Sequence, residues 1–335
     1  MSGAGLAAIE AEMARQAADA VMSVGTAGAR AAEIAATLRK TPRLLLLGMG
    51  ASHAAGRIVE PLYRGLGIDA VALPLSEQLT APLPLAGKVV LVASQSGESA
   101  EVVRWLGGGA GAAGAVVFGL TLDGSSTLAR AVPSLVGAGG AELGFAATRS
   151  LTVTLALHAA VLAALGLDVA PALAALRETS LRPVDAAVAA LDEVQAVVCS
   201  GRELHGMAEA LALGITELSR LPAFALEGGQ FRHGPLEMLG PKVGVVLVRG
   251  AESGATLLGG AAATAVAAGS PVVIFDSSEA VSVAGAVTLA WPPAQGLAAA
   301  FAMLPTAQRF MLGLAAARVA EVGTPRRSSK ITRDE

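Results

Sequence analysis

Ser94, Ser96 and Ser99, with Gln95 and Gly97 among them, are the residues of this chain whose types and spacing most directly invite chemistry. They sit in Lys88 to Leu106, KVVLVASQSGESAEVVRWL, after the β-branched run Val89 to Ala93 and before an amphipathic stretch through Ala100, Val103, Trp105 and Leu106. The pattern predicts a buried parallel strand, a Ser/Gly loop and a helix beginning near Ser99. The first N–H groups of a helix have no internal partner and carry the positive end of the peptide dipoles. Three hydroxyls and a glycine add donors that can wrap a phosphate dianion. A second reading stays open, in which Ser96 or Ser99 simply caps the helix. The loop is not a Walker A loop, because no Gly-Lys-Ser/Thr follows, and Ser94 two residues before Ser96 excludes a G-x-S-x-G elbow.

Two further residues are candidates for proton transfer. On the predicted helix Leu204–Ser219, the residues Ala208, Leu211, Ile215 and Leu218 form the core stripe. Glu217 lies on a different line, beside Gly214 and Ala210, where small neighbours leave room for a ligand. A solvated glutamate would show the same spacing. His233 stands between glycines in Gly228-Gly229-Gln230-Phe231-Arg232-His233-Gly234-Pro235, before a Pro-started helix, where an imidazole can approach a ligand closely. It reads equally as a turn histidine bonding its own backbone. His53 is ambiguous, whereas His158 and His205 read as packing or surface residues on helices. No His, Cys and carboxylate spacing suggests a metal, and no cofactor is expected.

The elements that must position these groups alternate. Strands are predicted at Arg43–Leu47, Ala70–Leu73, Val89–Ala93, Ala115–Leu120 and Ser134–Val136. Helices are predicted over residues 6–38, through Ile58, Leu62 and Leu66 to a stop at Gly67, and from Phe145 to Leu165, with a glycine-rich turn at 107–111 and a proline-rich connection from Pro74 to Gly87. The order repeats from Val194 at low identity, which predicts an α/β chain of two tandem doubly wound parallel-sheet domains, flavodoxin-like in type. Boundaries are expected at 1–175, 176–322 and a tail at 323–335. Gly48-Met49-Gly50-Ala51-Ser52 closes the first strand, and its loop should meet the Ser94 loop at the switch point. A dinucleotide reading of Gly48-Met49-Gly50 fails at His53, in the third fingerprint position, and at Asp69, which precedes its strand. In the second half Arg249-Gly250-Ala251-Glu252-Ser253 lacks clustered hydroxyls, so one ligand site is expected for the two halves.

Composition narrows the class. In 335 residues, 53% hydrophobic and only 15% charged, a large core is easily formed. A net charge of −3 argues against nucleic acid as a partner. The lone Cys199 lies in an apolar run, which excludes a disulfide framework and fits a reducing cytoplasm. The start shows no signal pattern, and the uncharged Gly254 to Phe275 reads as a buried helix and strand rather than a membrane span. By composition alone the tail reads as solvated.

Five motifs in order resemble the sugar isomerase (SIS) domain family, in its double-domain form. GAS at 50–52 is similar to the family's GTS loop, SQSGES at 94–99 to its SQSGET phosphate loop, and GAELGFAATRSLT at 140–152 to a G-x-E-I-x-V-A-S-T-K element. ALALGITELS with FRHGPLEML, and PRRSSKIT at 325–332, complete the set. The resemblance implies a cytoplasmic homodimer acting on a phosphosugar in carbohydrate or amino sugar metabolism. It implies that Gly50, Ala51, Ser52, Ser94, Gln95, Ser96 and Ser99 hold the phosphate, and that the backbone near Leu122 and Ser329 meets sugar hydroxyls. Glu217 would be the base between C1 and C2. His233, from a second subunit, would assist ring opening, and Lys330 would close the site. The family's aminotransferases carry lysines where this chain has Gly214 and Arg149, and no glutamine-hydrolysing domain is expected here. Two classes follow: a phosphosugar isomerase or amino-sugar-phosphate deaminase, or a sugar-phosphate sensor. A sensor would need the Ser94 loop but not Glu217, His233 and Lys330 together.

Overall fold

The computed structural model describes residues 3–109 and 114–333. In the first half the apolar runs become β1 (Arg43–Gly48), β2 (Asp69–Pro74), β3 (Val89–Ala93), β4 (Val116–Thr121) and β5 (Ser134–Val136). All pairings are parallel and the order is β2-β1-β3-β4-β5. β3 is buried along its whole length, which is why it reads as an unbroken apolar run rather than an alternating one. Helices α1 (Ala4–Thr26), α2 (Gly28–Lys40), α3 (Ala51–Gly65), α4 (Glu77–Thr80), α5 (Ala100–Gly107), α6 (Thr127–Ala131), α7 (Arg149–Leu165) and α8 (Ala170–Arg177) fill this half.

The second half repeats the plan. Strands β6 (Ala196–Gly201), β7 (Ala223–Glu227), β8 (Val243–Gly250), β9 (Val272–Ser277) and β10 (Val287–Ala290) form a parallel sheet ordered β10-β9-β8-β6-β7. With the second sheet read from its other edge, both run second-first-third-fourth-fifth, the doubly wound order in which the winding of successive strands reverses between first and third. The helices here are α9 (Asp185–Ala190), α10 (His205–Ser219), α11 (Gly228–Arg232), α12 (Ala255–Ala267) and α13 (Gly296–Ala316). The chain divides into two compact units: residues 8–177 with the tail from Pro325, and residues 178–324 with the chain up to Ala7.

Several local expectations change. The single helix over residues 6–38 is two, divided at Ala27 between Gly25 and Gly28, where helix propensity is lowest. The connection from Pro74 to Gly87 holds α4, and the Pro-started helix after Gly234 is one 3-10 turn, Pro235–Met238. The long helix begins at Arg149 rather than near Phe145. Its entry is set by the Glu142 carboxylate, which accepts the N–H groups of Thr148 at 3.0 Å and Ser150 at 3.0 Å. In the expected glycine-rich turn at 107–111, residues 110 and 111 lie outside the described ones. Gly254 to Phe275 is indeed a helix and a strand. Among the described residues, α13 is the one helix long and apolar enough to cross a membrane, and 67% of its apolar window is buried inside the protein.

Candidate functional site

Strand register aligns the loops of the first half. Gly48, the last residue of β1, pairs with Ala93, the last of β3, and Ala93 pairs with Leu120 of β4. The loops from Gly48 to Ser52, Ser94 to Ser99 and Leu122 to Ser126 therefore leave the sheet side by side at its carboxyl edge, across the switch point. The first turn admits no side chain at Gly48, whose Cβ would stand 2.7 Å from the Ser52 carbonyl carbon. Gly50 takes a left-handed φ of 51° to start α3, with Ala51 and Ser52 half-buried behind it.

The Ser94 loop is held by its own side chains. Ser94 Oγ accepts the Gly97 N–H at 3.1 Å and Ser96 Oγ accepts the Glu98 N–H at 3.2 Å, leaving each hydroxyl its own hydrogen to donate. Gly97 has φ 63°, and a Cβ there would lie 2.2 Å from Ser126 Oγ. Ser99 occupies the cap position of α5, yet its side chain makes no capping bond. The capping alternative thus fails for Ser99, and the Ser96 hydroxyl meets Glu98 rather than a helical N–H.

The tail joins this loop. Thr332 O accepts the Ala100 N–H at 2.9 Å, at the start of α5. Lys330 Nζ donates to Glu142 Oε2 at 2.6 Å and lies 3.4 Å from Phe145 O. Glu142 is fully buried, and it also accepts the N–H and hydroxyl groups of Thr148 and Ser150. Gln95 ties the groups together: its carbonyl accepts the Leu122 N–H at 3.0 Å and its side-chain oxygen accepts the Glu142 N–H at 3.3 Å. Ser329 is exposed and its hydroxyl donates to Ile331 O at 2.7 Å. The solvated tail suggested by composition is instead anchored at Lys330 and Thr332.

Glu142 carried no role in the sequence reading, although it lies inside the GAELGFAATRSLT motif. Arg149 has a structural task. Fully buried, it bonds Glu12 Oε2 at 2.5 Å, Asp19 Oδ2 at 3.2 Å, Ala138 O at 3.1 Å and Gly140 O at 2.7 Å, holding the chain before Glu142 to α1. Burial alone would raise the Glu12 carboxyl, but the Leu143 N–H and the Arg149 guanidinium outweigh it and hold it below the usual carboxylate range.

The other unit carries Glu217 and His233. Glu217 is half-buried on α10, and the expected stripe of Ala208, Leu211, Ile215 and Leu218 is buried. Gly214 beside it opens no space for a ligand. A Cβ there would stand 2.3 Å from Met311 Sδ of α13, so the glycine serves helix packing. His233 is exposed at the end of α11 and lines a cavity of about 370 Å³ with Arg202, Gly229 and Arg232. Its backbone N–H bonds Gln230 O at 3.1 Å. Glu227 caps α11 through the Gly229 and Gln230 N–H groups and pairs with Arg202 at 3.3 Å.

At this unit's switch point Glu252 replaces the serines. Burial, with Glu203 adding to it, pushes its carboxyl up against the Gly296 N–H. Two carboxylates at that edge suit a phosphate dianion poorly, as the sequence implied. Of the remaining groups, His158 accepts or donates at Nδ1 to Tyr63 Oη at 3.1 Å, His205 pairs with Glu209 at 3.0 Å, and Cys199 is buried with its thiol pushed up by desolvation. His53 is half-buried on α3.

The described geometry defines a tandem parallel α/β protein with a hydroxyl-rich loop at one switch point. No family model matches the chain. Its solved likenesses give the fold a more particular place. The C-terminal domain of glucosamine-fructose-6-phosphate aminotransferase from Francisella tularensis superposes with a TM-score of 0.81 at 18% identity, covering 95% of this chain and 98% of that one. Tagatose-6-phosphate ketose/aldose isomerase from Escherichia coli gives 0.76 at 21% identity, covering 97% and 98%. The chain therefore shares the tandem parallel α/β fold of these two proteins along nearly its whole length. A glutamine–fructose-6-phosphate aminotransferase (isomerizing) of Gluconobacter oxydans (strain 621H) is 26% identical over 235 residues. That match spans 62% of this chain but 38% of the relative.

Proposed function

We propose that this chain is an enzyme acting on a hexose 6-phosphate, moving a proton between C1 and C2. Gly50, Ala51, Ser52, Ser94, Gln95, Ser96 and Ser99 bind the phosphate with neutral donors, and backbone groups near Leu122 and Ser329 meet the sugar hydroxyls. Glu217 takes the proton from the carbon beside the carbonyl and returns it to its neighbour through an enediolate. Lys330 supplies the cation that stabilises the developing oxyanion, and the tail excludes water. His233, contributed by the partner subunit of a homodimer, moves the proton that opens the ring. With a 2-amino sugar the same proton shift yields a ketose imine, which one water hydrolyses to the ketose 6-phosphate and ammonia.

The observation that supports this reading best is the seat of Lys330 on Glu142, with Thr332 on the first N–H of α5. A sensor needs no cation held beside the anion loop. The test is incubation with fructose 6-phosphate, tagatose 6-phosphate and glucosamine 6-phosphate, following aldose or ketose phosphate product and ammonia. Turnover that disappears in Glu217→Gln while sugar-phosphate binding persists supports the proposal. Binding without turnover in the unmodified protein would make it a sensor. Mixing His233→Ala with Glu217→Gln subunits should restore part of the activity, and no restoration would sink the shared site.

A further inference from the structure

Among the described residues, one that is not glycine has a left-handed backbone. It is Arg220, with φ 58° and ψ 20°, at the C-terminal cap of α10. A side chain is strained in that conformation, and glycine commonly takes the position because it is not. The turn itself has no use for the guanidinium. The Arg220 N–H bonds Thr216 O at 3.1 Å, and the Thr216 hydroxyl closes the turn on the carbonyl and the N–H of Ala223, each at 3.2 Å. A strained residue whose side chain does nothing for its own turn points to a contact elsewhere.

That contact is the root of the tail. Arg220 Nη2 donates to Thr324 O at 3.2 Å. The acceptor is a backbone carbonyl, so the bond fixes a place in the chain rather than balancing a charge. Helix α1 closes on the same turn: a Cβ on Gly5 would stand 2.6 Å from the Gly323 carbonyl carbon and 2.9 Å from Thr324 N. Gly323 has φ 75°, and Val322 before it is buried. Residues 322–324 are therefore gripped by α1, by the core through Val322, and by Arg220. Directly after them, between Thr324 and Pro325, the chain passes from one compact unit to the other. Lys330 and Thr332 follow within the next eight residues.

We propose that Arg220 is a positioning residue for the tail. By fixing Thr324 it narrows the range over which Lys330 must find Glu142, and Thr332 O the Ala100 N–H. Ordering a short segment costs conformational entropy, and a held root removes part of that cost before the tail seats. The effect on tail order stands on geometry alone, whereas any effect on turnover rests on the role of Lys330 proposed above.

The experiment compares the full chain with Arg220→Gly and Arg220→Lys. Glycine relieves the backbone and deletes the donor, while lysine keeps the strain and a cationic donor. In Arg220→Gly the urea midpoint should hold or rise. The Ala100 amide should nevertheless exchange for deuterium at least about threefold faster, the scale of one lost hydrogen bond. Trypsin should release the tail after Arg326 and Arg327 faster by a similar factor, read by mass spectrometry. Arg220→Lys should restore much of the protection. With a sugar phosphate that is turned over, Arg220→Gly should lower kcat by about fivefold and leave KM nearly unchanged. Unaltered Ala100 exchange and tail cleavage in Arg220→Gly would overturn the proposal, and so would a fall in its urea midpoint, the mark of a merely structural role. Faster exchange and cleavage in a protein that turns over none of the sugar phosphates would uphold the hold on the tail and remove the sugar reading instead.

Discussion

At the scale of single residues, Glu142 is the group on which the first unit's site converges. One carboxylate fixes the entry of α7 through Thr148 and Ser150 and receives the ammonium of Lys330. A buried carboxylate that accepts this many hydrogen bonds is fixed in position, and so can hold a lysine at a set place. Glu142→Gln keeps the shape but weakens the grip on Lys330. We expect it to lower kcat by at least about tenfold with little change in KM, as does loss of an interaction used after binding. Restoration of kcat by Glu142→Asp would mark a positioning role, whereas an equal loss in stability and KM would mark a merely structural one. Gly97 presents a simpler case. With φ 63° and the Ser126 hydroxyl 2.2 Å from any Cβ, Gly97→Ala should cost about 2–4 kcal/mol from backbone strain and overlap together. Urea unfolding measures it, and a cost near zero would mean that the loop can rearrange.

At the scale of elements, packing between α10 and α13 accounts for a glycine at residue 214. Met311 Sδ occupies the space a side chain would need. Gly214→Ala should destabilise by about 1–3 kcal/mol through overpacking. Met311→Ala alone should also destabilise, by opening a cavity. Combined, the two should cost at least about 1 kcal/mol less than their sum, because each relieves the other. Additive losses in a double-mutant cycle would remove Met311 as the reason for the glycine. The same element shows what the sequence could and could not convey. The stripe of Ala208, Leu211, Ile215 and Leu218 was legible because burial on one face imposes helical spacing. The space beside Gly214 was misread, because its occupant comes from a helix distant in sequence. Likewise the strands and the meeting of the Ser94 and Gly48 loops were legible, since β-branched runs and parallel order fix where strands end. The start of α7 was not, because the Glu142 side chain rather than any periodicity sets it. Nor was the anchoring of the tail, whose composition is that of a solvated segment and whose hold rests on Lys330 and one carbonyl.

At the scale of the whole molecule, the buried polar groups tie stability to pH. His158 lies within α7, fully enclosed, with Tyr63 Oη on its Nδ1, and desolvation pushes its pKa down to about 3 from an ordinary value near 6.5. The folded protein therefore holds the imidazole neutral while the unfolded chain protonates it between those limits. In that window the unfolded state binds more protons, so stability rises with pH and is lost as pH falls from about 6.5 toward 3. Between pH 7 and pH 5 this one residue should remove about 2 kcal/mol, at close to 1.4 kcal/mol for each pH unit below 6.5. The carboxyls of Glu12 and Glu227, both held below their usual range, act in the same direction but only at lower pH, as they themselves take up protons. Denaturant midpoints at pH 7 and pH 5 separate the two contributions. Replacing the pair together, Tyr63→Phe with His158→Leu, removes the titrating group without stranding its partner and should flatten the change between those pH values. If the paired variant loses as much stability at pH 5 as the unmodified chain, the acid sensitivity arises from carboxylates and His158 does not limit the fold.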